Sequence, residues 1–271
     1  MRPSTPRADP DAHPAAHGRN DEQPWDLFDT DYYWAHNYRT LQDVDQRILR
    51  FIGEFFDRQP LRGGHGIDVG TGANLYPVLA MLPLCQAVTL WEWSRKNAQW
   101  LGREVAHYRP EWDPFWAELV DRPSYTAVGD PRLAVADRAH VRHGHVFHLP
   151  RHTWDAGTMF FVAESMSALP EEFERALCRF VQSLRPGAPF AAAFMEGSEG
   201  YSVPVVFDEA LPPVSYQFPA VPVGVDDVAR CLATVAHTVD IQRIDRGDKP
   251  LREGYTGMIV AVGTAGPPNG A

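Results

Sequence analysis

The period of the hydrophobic positions changes along this chain, and the changes mark out its elements. Leu41, Val44, Ile48, Phe51, Ile52 and Phe55 recur at the spacing of one helix face, which predicts an amphipathic helix. Residues 65–70 then form a short apolar run, with Gly66, Ile67 and Val69 around Asp68, predicted as the first strand. NLYPVLAML reads as a helix that tolerates Pro77 in its first turn. CQAVTLWE is a second strand of the buried kind, and Ser94 is placed to cap a helix over RKNAQWLGREVAHY. A third strand is expected near HVRHGHVF, whereas the Pro- and Trp-rich stretch 110–136 yields no assignment. From there DAGTMFFVAES is a strand, PEEFERALCRFVQSL a helix closed by RPGA, and PFAAAFME a fifth strand. DDVARCLATVA is a helix, and TVDIQRID and TGMIVAVG are two closing strands separated by a polar loop.

Strands alternating with helices imply an α/β fold: a doubly wound, mostly parallel, seven-stranded sheet with helices on both faces. Two strands in succession at the end predict an antiparallel edge hairpin. Ligands of such sheets lie beyond the carboxyl ends of the strands, where the strand order reverses. The glycine turn after the first strand belongs there.

Composition narrows the function. With 271 residues, 44% of them hydrophobic, the chain can bury a full core. No apolar stretch approaches the ~20 residues that cross a bilayer. Residues 1–24, rich in Pro, Asp, Ala and His, lack the apolar segment of a secretory signal and are predicted to be disordered, which points to a cytoplasmic protein. One domain is expected over 25–264, with a helical lid in 25–60, the sheet core in 61–264 and a flexible tail in 265–271. A formal charge of −10 argues against a nucleic-acid partner. Cys85, Cys178 and Cys231 are far apart in sequence and read as buried structural thiols. The histidines of RAHVRHGHVFHLPRH lack the acid or cysteine that would complete a usual zinc set, so no metal is expected.

The candidate chemistry starts at DVGTGANLY. A dinucleotide fingerprint needs a third glycine, and Leu75 stands in its place. What remains is an acid, Asp68, ahead of Gly70 and Gly72, a loop whose bare backbone suits a ligand without phosphates. Asp68 can anchor an ammonium group or fix the loop. Glu92 ends the second strand, 24 residues later, where a carboxylate can accept both hydroxyls of a ribose. S-adenosylmethionine has a ribose, an amino acid end and no phosphate, and fits both features.

DVGTGANLYPVLA, TLWEWSRKNAQWL and SLRPGAPFAAAFMEGSEGYSV together resemble the class I S-adenosylmethionine-dependent methyltransferases, nearest the nicotinamide, phenylethanolamine and indolethylamine N-methyltransferases and their actinobacterial relatives. The resemblance spans about residues 28–263. It implies a Rossmann-like methyltransferase fold with an N-terminal helical lid and the following roles. Asp68, Gly70, Gly72 and Tyr76 would surround the methionine end of the cofactor. Glu92 and Asn97 would hold the ribose, with Trp93 and Val146 beside the adenine. His145 stands where the family usually has an acid, and would meet the adenine amine only as an acceptor in the right tautomer. Tyr32 and Tyr38, with His36 and Asn37, lie in the segment that closes over the ligands. Glu164, Glu196 and Tyr201 would face the substrate, with Glu164, Glu196 and Tyr38 as catalytic candidates. Tyr33 and Trp34 either complete an aromatic lid or dock their helix on the core.

The implied activity is methyl transfer to a small-molecule acceptor, an amine nitrogen first, by a monomer or homodimer. Rivals are O- or C-methylation or ring closure in secondary metabolism, and a cofactor-binding or assembly protein without catalysis. A nicotinamide oxidoreductase is disfavoured by the missing glycine.

Overall fold

The computed structural model describes residues 18–205, 207, 212–247 and 254–267. Most of the expected N-terminal tail, the end of the C-terminal tail and part of the last polar loop lie outside the described residues.

Asp29 caps helix α1 (Thr30–Asn37) by accepting from the Tyr32 N–H at 2.9 Å. Helix α2 (Asp43–Asp57) follows; of the predicted stripe it buries Val44, Ile48 and Ile52, while Leu49 and Phe56 rather than Phe51 and Phe55 complete the buried face. Strand β1 (Gly64–Val69), helix α3 (Tyr76–Met81), strand β2 (Cys85–Glu92) and helix α4 (Arg95–His107) come next, α4 being capped by Ser94 as expected. The stretch without an assignment folds into short helices α5 (Asp113–Ala117), α6 (Pro123–Thr126) and α7 (Pro131–Arg138), each with Pro in its first turn. Strands β3 (Ala139–His143) and β4 (Ala156–Phe160), helix α8 (Pro170–Ser183) and strand β5 (Pro189–Glu196) follow. A hairpin that the sequence did not announce, β6 (Gly200–Val205) with β7 (Val214–Pro219), then leads into helix α9 (Val225–Leu232) and strands β8 (Ala236–Asp245) and β9 (Gly257–Ala265).

The main sheet has the order β3-β2-β1-β4-β5-β9-β8. Strands β1 to β5 pair in parallel, and β9 pairs antiparallel with both β5 and β8. Successive residues of β5 alternate between two cores: Ala191, Ala193 and Met195 face the side of α2 and α3, and Phe190, Ala192 and Phe194 face α8 and α9. The doubly wound α/β sheet with an antiparallel edge is therefore as expected. Its order reverses between β1 and β4, which leaves a crevice at their carboxyl ends. A third, small core of Phe28, Tyr201, Val203, Val205, Tyr216 and Phe218 joins the chain before α1 to the β6–β7 hairpin and roofs that crevice. Strand β9 runs to Ala265, inside the segment expected as a flexible tail.

The cysteines correct an expectation. Cys178 on α8 and Cys231 on α9, 53 residues apart, stand with their sulfurs 3.5 Å from each other, and Cys178 is only partly buried.

Candidate active site

The crevice is open to solvent, with about 840 Å³ of empty space within and in front of it. Its floor comes from the end of β1 and the chain after it (Val69 to Asn74), the end of β2 with the residue that follows (Trp91 to Trp93) and the chain after β3 (Gly144, Val146). Phe160, Phe161, Val162, Ser165 and Met166, after β4, close one side.

The glycine elbow is held from both flanks. Gly70 and Gly72 have φ of +67° and +58°, the left-handed region that glycine enters without a Cβ penalty. A Cβ on Gly70 would lie 2.6 Å from Val162, whereas one on Gly72 meets nothing closer than 3.7 Å. The elbow's N–H groups turn toward β2: Gly70 donates to the Trp91 carbonyl at 2.7 Å, and Gly72 to the Glu92 carboxylate at 2.8 Å. The other Glu92 oxygen accepts from the Ser94 N–H at 2.7 Å. Burial pushes the Glu92 carboxyl up, and the hydrogen bonds from Gly72 and Ser94 pull it back. The Asn97 side chain and the Trp93 N–H also interact with the carboxylate, which faces the crevice beside them. Asn97, one turn into α4, lines the crevice beside Glu92, and its side-chain oxygen accepts from the Thr30 hydroxyl at 2.7 Å. Trp93 is 40% exposed and presents a ring stacked on His143, with centroids 5.3 Å apart.

Of the candidate residues, Gly70, Gly72, Glu92, Trp93, Asn97, Val146, Tyr38 and Tyr201 line this one space. Six candidates do not line it. Asp68 is buried beneath the elbow, accepting from the Thr158 hydroxyl at 2.6 Å, while its backbone oxygen accepts from Thr71 at 3.2 Å; it fixes the loop rather than an ammonium group. Burial raises its carboxyl to about 7, against the pull of Thr158 and Thr71. Tyr76 is fully buried and stacks on Phe115, with centroids 5.6 Å apart. Tyr32 is 47% exposed and lines an outer groove between α1 and β6. Glu164 is completely buried; its carboxylate accepts from the Met195 N–H and its backbone oxygen from the Val221 N–H, so it ties the end of β4 to β5 and to the chain before α9. Glu196 is turned to the sheet edge, where Arg243 and Thr256 hold it. Partial burial raises its carboxyl, but these two partners outweigh burial and leave it below the usual carboxylate range.

His145 departs from expectation for a tautomeric reason. Its Nδ1 accepts from the Phe147 N–H at 3.1 Å, so the ring proton sits on Nε2. Nε2 in turn faces the Asp21 carboxylate and the Asn20 side chain, each at 2.9 Å. Burial lowers the imidazole below its ordinary value despite Asp21, which agrees with a neutral ring. No lone pair is left to accept from an adenine amine.

The roof holds residues that the sequence reading missed. Asn20, Trp25 and Phe28, before α1, line the crevice together with Tyr33 of the lid helix. Trp34 does dock its helix: it is buried, with the Arg109 guanidinium 4.2 Å above its ring. In the elbow, Asn74 lines the crevice, and its buried Nδ2 has no partner among the described residues. Phe161 takes φ +59° directly after β4, uncommon for a non-glycine residue, and lines the crevice as well. No sequence signal marks that strained position. The aromatic density of WDLFDTDYYW was the one available sign of the roof. Among the described residues, no group of three His, Cys, Asp or Glu side chains is arranged to hold a metal ion. Nor is any described helix long and apolar enough to cross a membrane.

Comparison with known proteins bears on the fold. No family model matches the sequence, and no curated protein does. Among solved structures, the CcbJ methyltransferase from Streptomyces caelestis superposes with a TM-score of 0.54 at 9% identity, over 90% of this chain and 98% of that one. An S-adenosylmethionine-dependent methyltransferase from Clostridium acetobutylicum gives 0.51 at 10% identity, over 88% and 98%. At such identities the likeness is one of fold. The sheet order with its antiparallel edge is that of the Rossmann-like methyltransferase fold.

Proposed function

We propose that this chain is an S-adenosylmethionine-dependent methyltransferase acting on a small molecule, with an amine nitrogen as acceptor. One observation carries the cofactor assignment. The glycine elbow and Glu92 are hydrogen-bonded to each other and open onto one crevice at the strand-order reversal. The donors and acceptors present fit the cofactor's parts. Glu92 presents a carboxylate to ribose hydroxyls, Trp93 offers a ring face, and the Asn74 amide lines the same space. The fold shared with the two methyltransferases supports the same reading.

When bound, the cofactor supplies a methyl group on a sulfonium, ready for direct displacement. The chain's part is to align and to exclude water; alignment alone is worth ~7–11 kcal/mol. Phe28, Tyr33, Tyr38, Phe161 and Tyr201 wall the acceptor side, and among the described lining residues Glu92 is the only carboxylate. Such a chamber suits a neutral amine, which brings its own lone pair and becomes cationic as it reacts. Ring faces then favour the developing charge by about 0.5–2 kcal/mol. The attraction of the amine falls to these rings, since Glu164 and Glu196 point elsewhere.

Calorimetric titration with S-adenosylhomocysteine tests the cofactor claim, and failure to bind at high micromolar ligand rejects it. Incubation with methyl-labelled cofactor and panels of amines and phenols tests the acceptor. Label confined to hydroxyl compounds rejects nitrogen, and binding with no transfer to any panel member favours a protein that only holds the cofactor.

A further inference from the structure

We propose that residues 18–28 form an integral wall of the adenosyl site, and that His145 is the positioning residue that latches this strap in place. The inference rests on the cofactor reading above. Composition makes the segment look like tail, yet it is pinned near both ends. The Gly18 carbonyl accepts from the Ser167 hydroxyl at 2.9 Å and the Ala168 N–H at 2.8 Å. The Asn20 N–H donates to Glu172 at 2.9 Å. The Trp25 carbonyl accepts from the Ser94 hydroxyl at 2.8 Å, and Asp26 accepts from the Arg95 N–H at 2.7 Å. The Trp25 ring stacks on Phe218, with centroids 4.9 Å apart.

The strap therefore crosses from the chain after β4 to the start of α4, over the ends of β2 and β3. Asn20 and Trp25 face the same space as Trp93, Gly144 and Val146, the expected surroundings of the adenine. At its centre the Nε2–H of His145 donates to the Asp21 carboxylate at 2.9 Å, with the Asn20 side chain packed beside it. The side chain at this position has turned away from the ligand to hold a piece of backbone over it. A purine ring enclosed in this way gains Asn20 and Trp25 as neighbours and cannot leave until the strap lifts.

Two substitutions in the full-length protein cut the latch from opposite sides. Asp21→Ala removes a side chain that is 73% exposed and leaves the core untouched. His145→Asn keeps an oxygen to accept from the Phe147 N–H but is too short to reach Asp21. Each is expected to raise the S-adenosylhomocysteine dissociation constant about five- to tenfold through a faster off-rate, with little change in melting temperature. The double variant should be no worse than either single one, as befits one shared contact. Unchanged affinity in both single variants, or fully additive losses, overturns the strap proposal while leaving the cofactor reading intact. A wild-type protein that does not bind the ligand overturns both.

Independently, the structure assigns Cys178 and Cys231 as a site of reversible disulfide formation. Their sulfurs, 3.5 Å apart on neighbouring helices, need only small side-chain rotations to reach bonding distance. Cys178 is the partly accessible partner, the one a disulfide from solution reaches first, while Cys231 is buried behind it. With a low-molecular-weight disulfide as oxidant, the Cys178 thiolate attacks one sulfur and expels the first thiolate. Cys231 then loses its proton, attacks the mixed disulfide and expels the second. Two protein thiols are oxidised and one disulfide is reduced.

Treatment of the full-length protein with glutathione disulfide, followed by alkylation and peptide mass analysis, tests this. The expected product is a Cys178–Cys231 cross-linked peptide lacking two hydrogens, reversed by dithiothreitol, in a protein with a raised melting temperature. Glutathione remaining on Cys178, or both thiols staying open to alkylation, overturns the assignment.

Discussion

Replacing Glu92 by Ala gives the most direct reading of the site. The carboxylate is 5% exposed and makes two backbone hydrogen bonds, to Gly72 and Ser94. Gly72 lines the crevice, so water can replace its acceptor in the unliganded protein, whereas the buried Ser94 N–H loses its acceptor outright, and the loss of stability is ~1–3 kcal/mol. The ligand has no such substitute. Two hydroxyl bonds to a carboxylate contribute ~1.5–3 kcal/mol each. At the lower bound their loss totals ~3 kcal/mol, about a hundredfold in affinity. Glu92→Gln separates the parts: it keeps one acceptor oxygen but turns an N–H₂ toward either the Gly72 or the Ser94 donor, and should fall between the two. Calorimetry or competition with S-adenosylhomocysteine reads both variants, and thermal melting checks that they fold. An alanine variant that binds within twofold of wild type removes Glu92 from the ribose site and takes the carrying observation with it.

Three further outcomes follow from the geometry. Gly70→Ala combines a left-handed φ with a 2.6 Å clash against Val162, whereas Gly72→Ala meets only ordinary contact, 3.7 Å from the Gly70 carbonyl. Left-handed backbone alone costs ~1–2 kcal/mol in both, so Gly70→Ala should melt several degrees lower than Gly72→Ala, and equal melting temperatures would contradict the packing described. Asp45 on α2 is fully buried, and desolvation raises its carboxyl from 3.8 to about 7, only partly offset by the Tyr76 phenol. Between those values the unfolded chain has lost the proton that the folded chain keeps, so this residue lowers stability as pH rises from about 4 to 7, by a few kcal/mol at most. Asp45→Asn should therefore raise the melting temperature at pH 8 and leave it nearly unchanged at pH 4, and a gain only at the acid end would reverse the sign of the argument. Glu196→Ala should retain ligand affinity and turnover within about twofold, because its partners are Arg243 and Thr256 rather than the crevice. A tenfold loss of turnover would restore the substrate role.

What the sequence disclosed divides along physical lines. The elbow, Glu92, Ser94 and Asn97 are encoded within 28 residues, and each signal is local: a left-handed turn needs glycine, a helix start needs a cap, and a buried strand needs an apolar run. The fates of Glu164 and Glu196 depend on partners far along the chain. Arg243 is 47 residues from Glu196, and no local pattern shows that the two will meet. The end of β4 was read too far because MFFVA is apolar throughout, and the turn at Phe161 carries no glycine to betray it. In the strap, composition misled. Its Pro, Asp and Asn content matches that of an unfolded tail, but Ser94, Ser167, Glu172 and His145 satisfy its polar groups, from as much as 152 residues away.

The same division runs through the site. The floor, where the adenosyl group would lie, is built from loops that follow consecutive strands of the sheet, and sheet register fixes their spacing. In the roof the chain before α1, helix α1 and the β6–β7 hairpin meet one another through their own small aromatic core, with a bridge between Phe28 and Val205. A roof with its own packing can change without disturbing the elbow, because substitutions at Tyr33 or Tyr201 leave the hydrogen bonds of Gly70, Gly72 and Glu92 in place. Acceptor preference and cofactor affinity should accordingly be separable properties of this chain. Only the strap spans both, since Asn20 is latched at the adenine end while Phe28 packs among the acceptor-side rings. A substitution in the strap, unlike one at Tyr33 or Tyr201, should therefore change cofactor affinity and acceptor preference together, and a strap variant altered in only one of them would contradict this division.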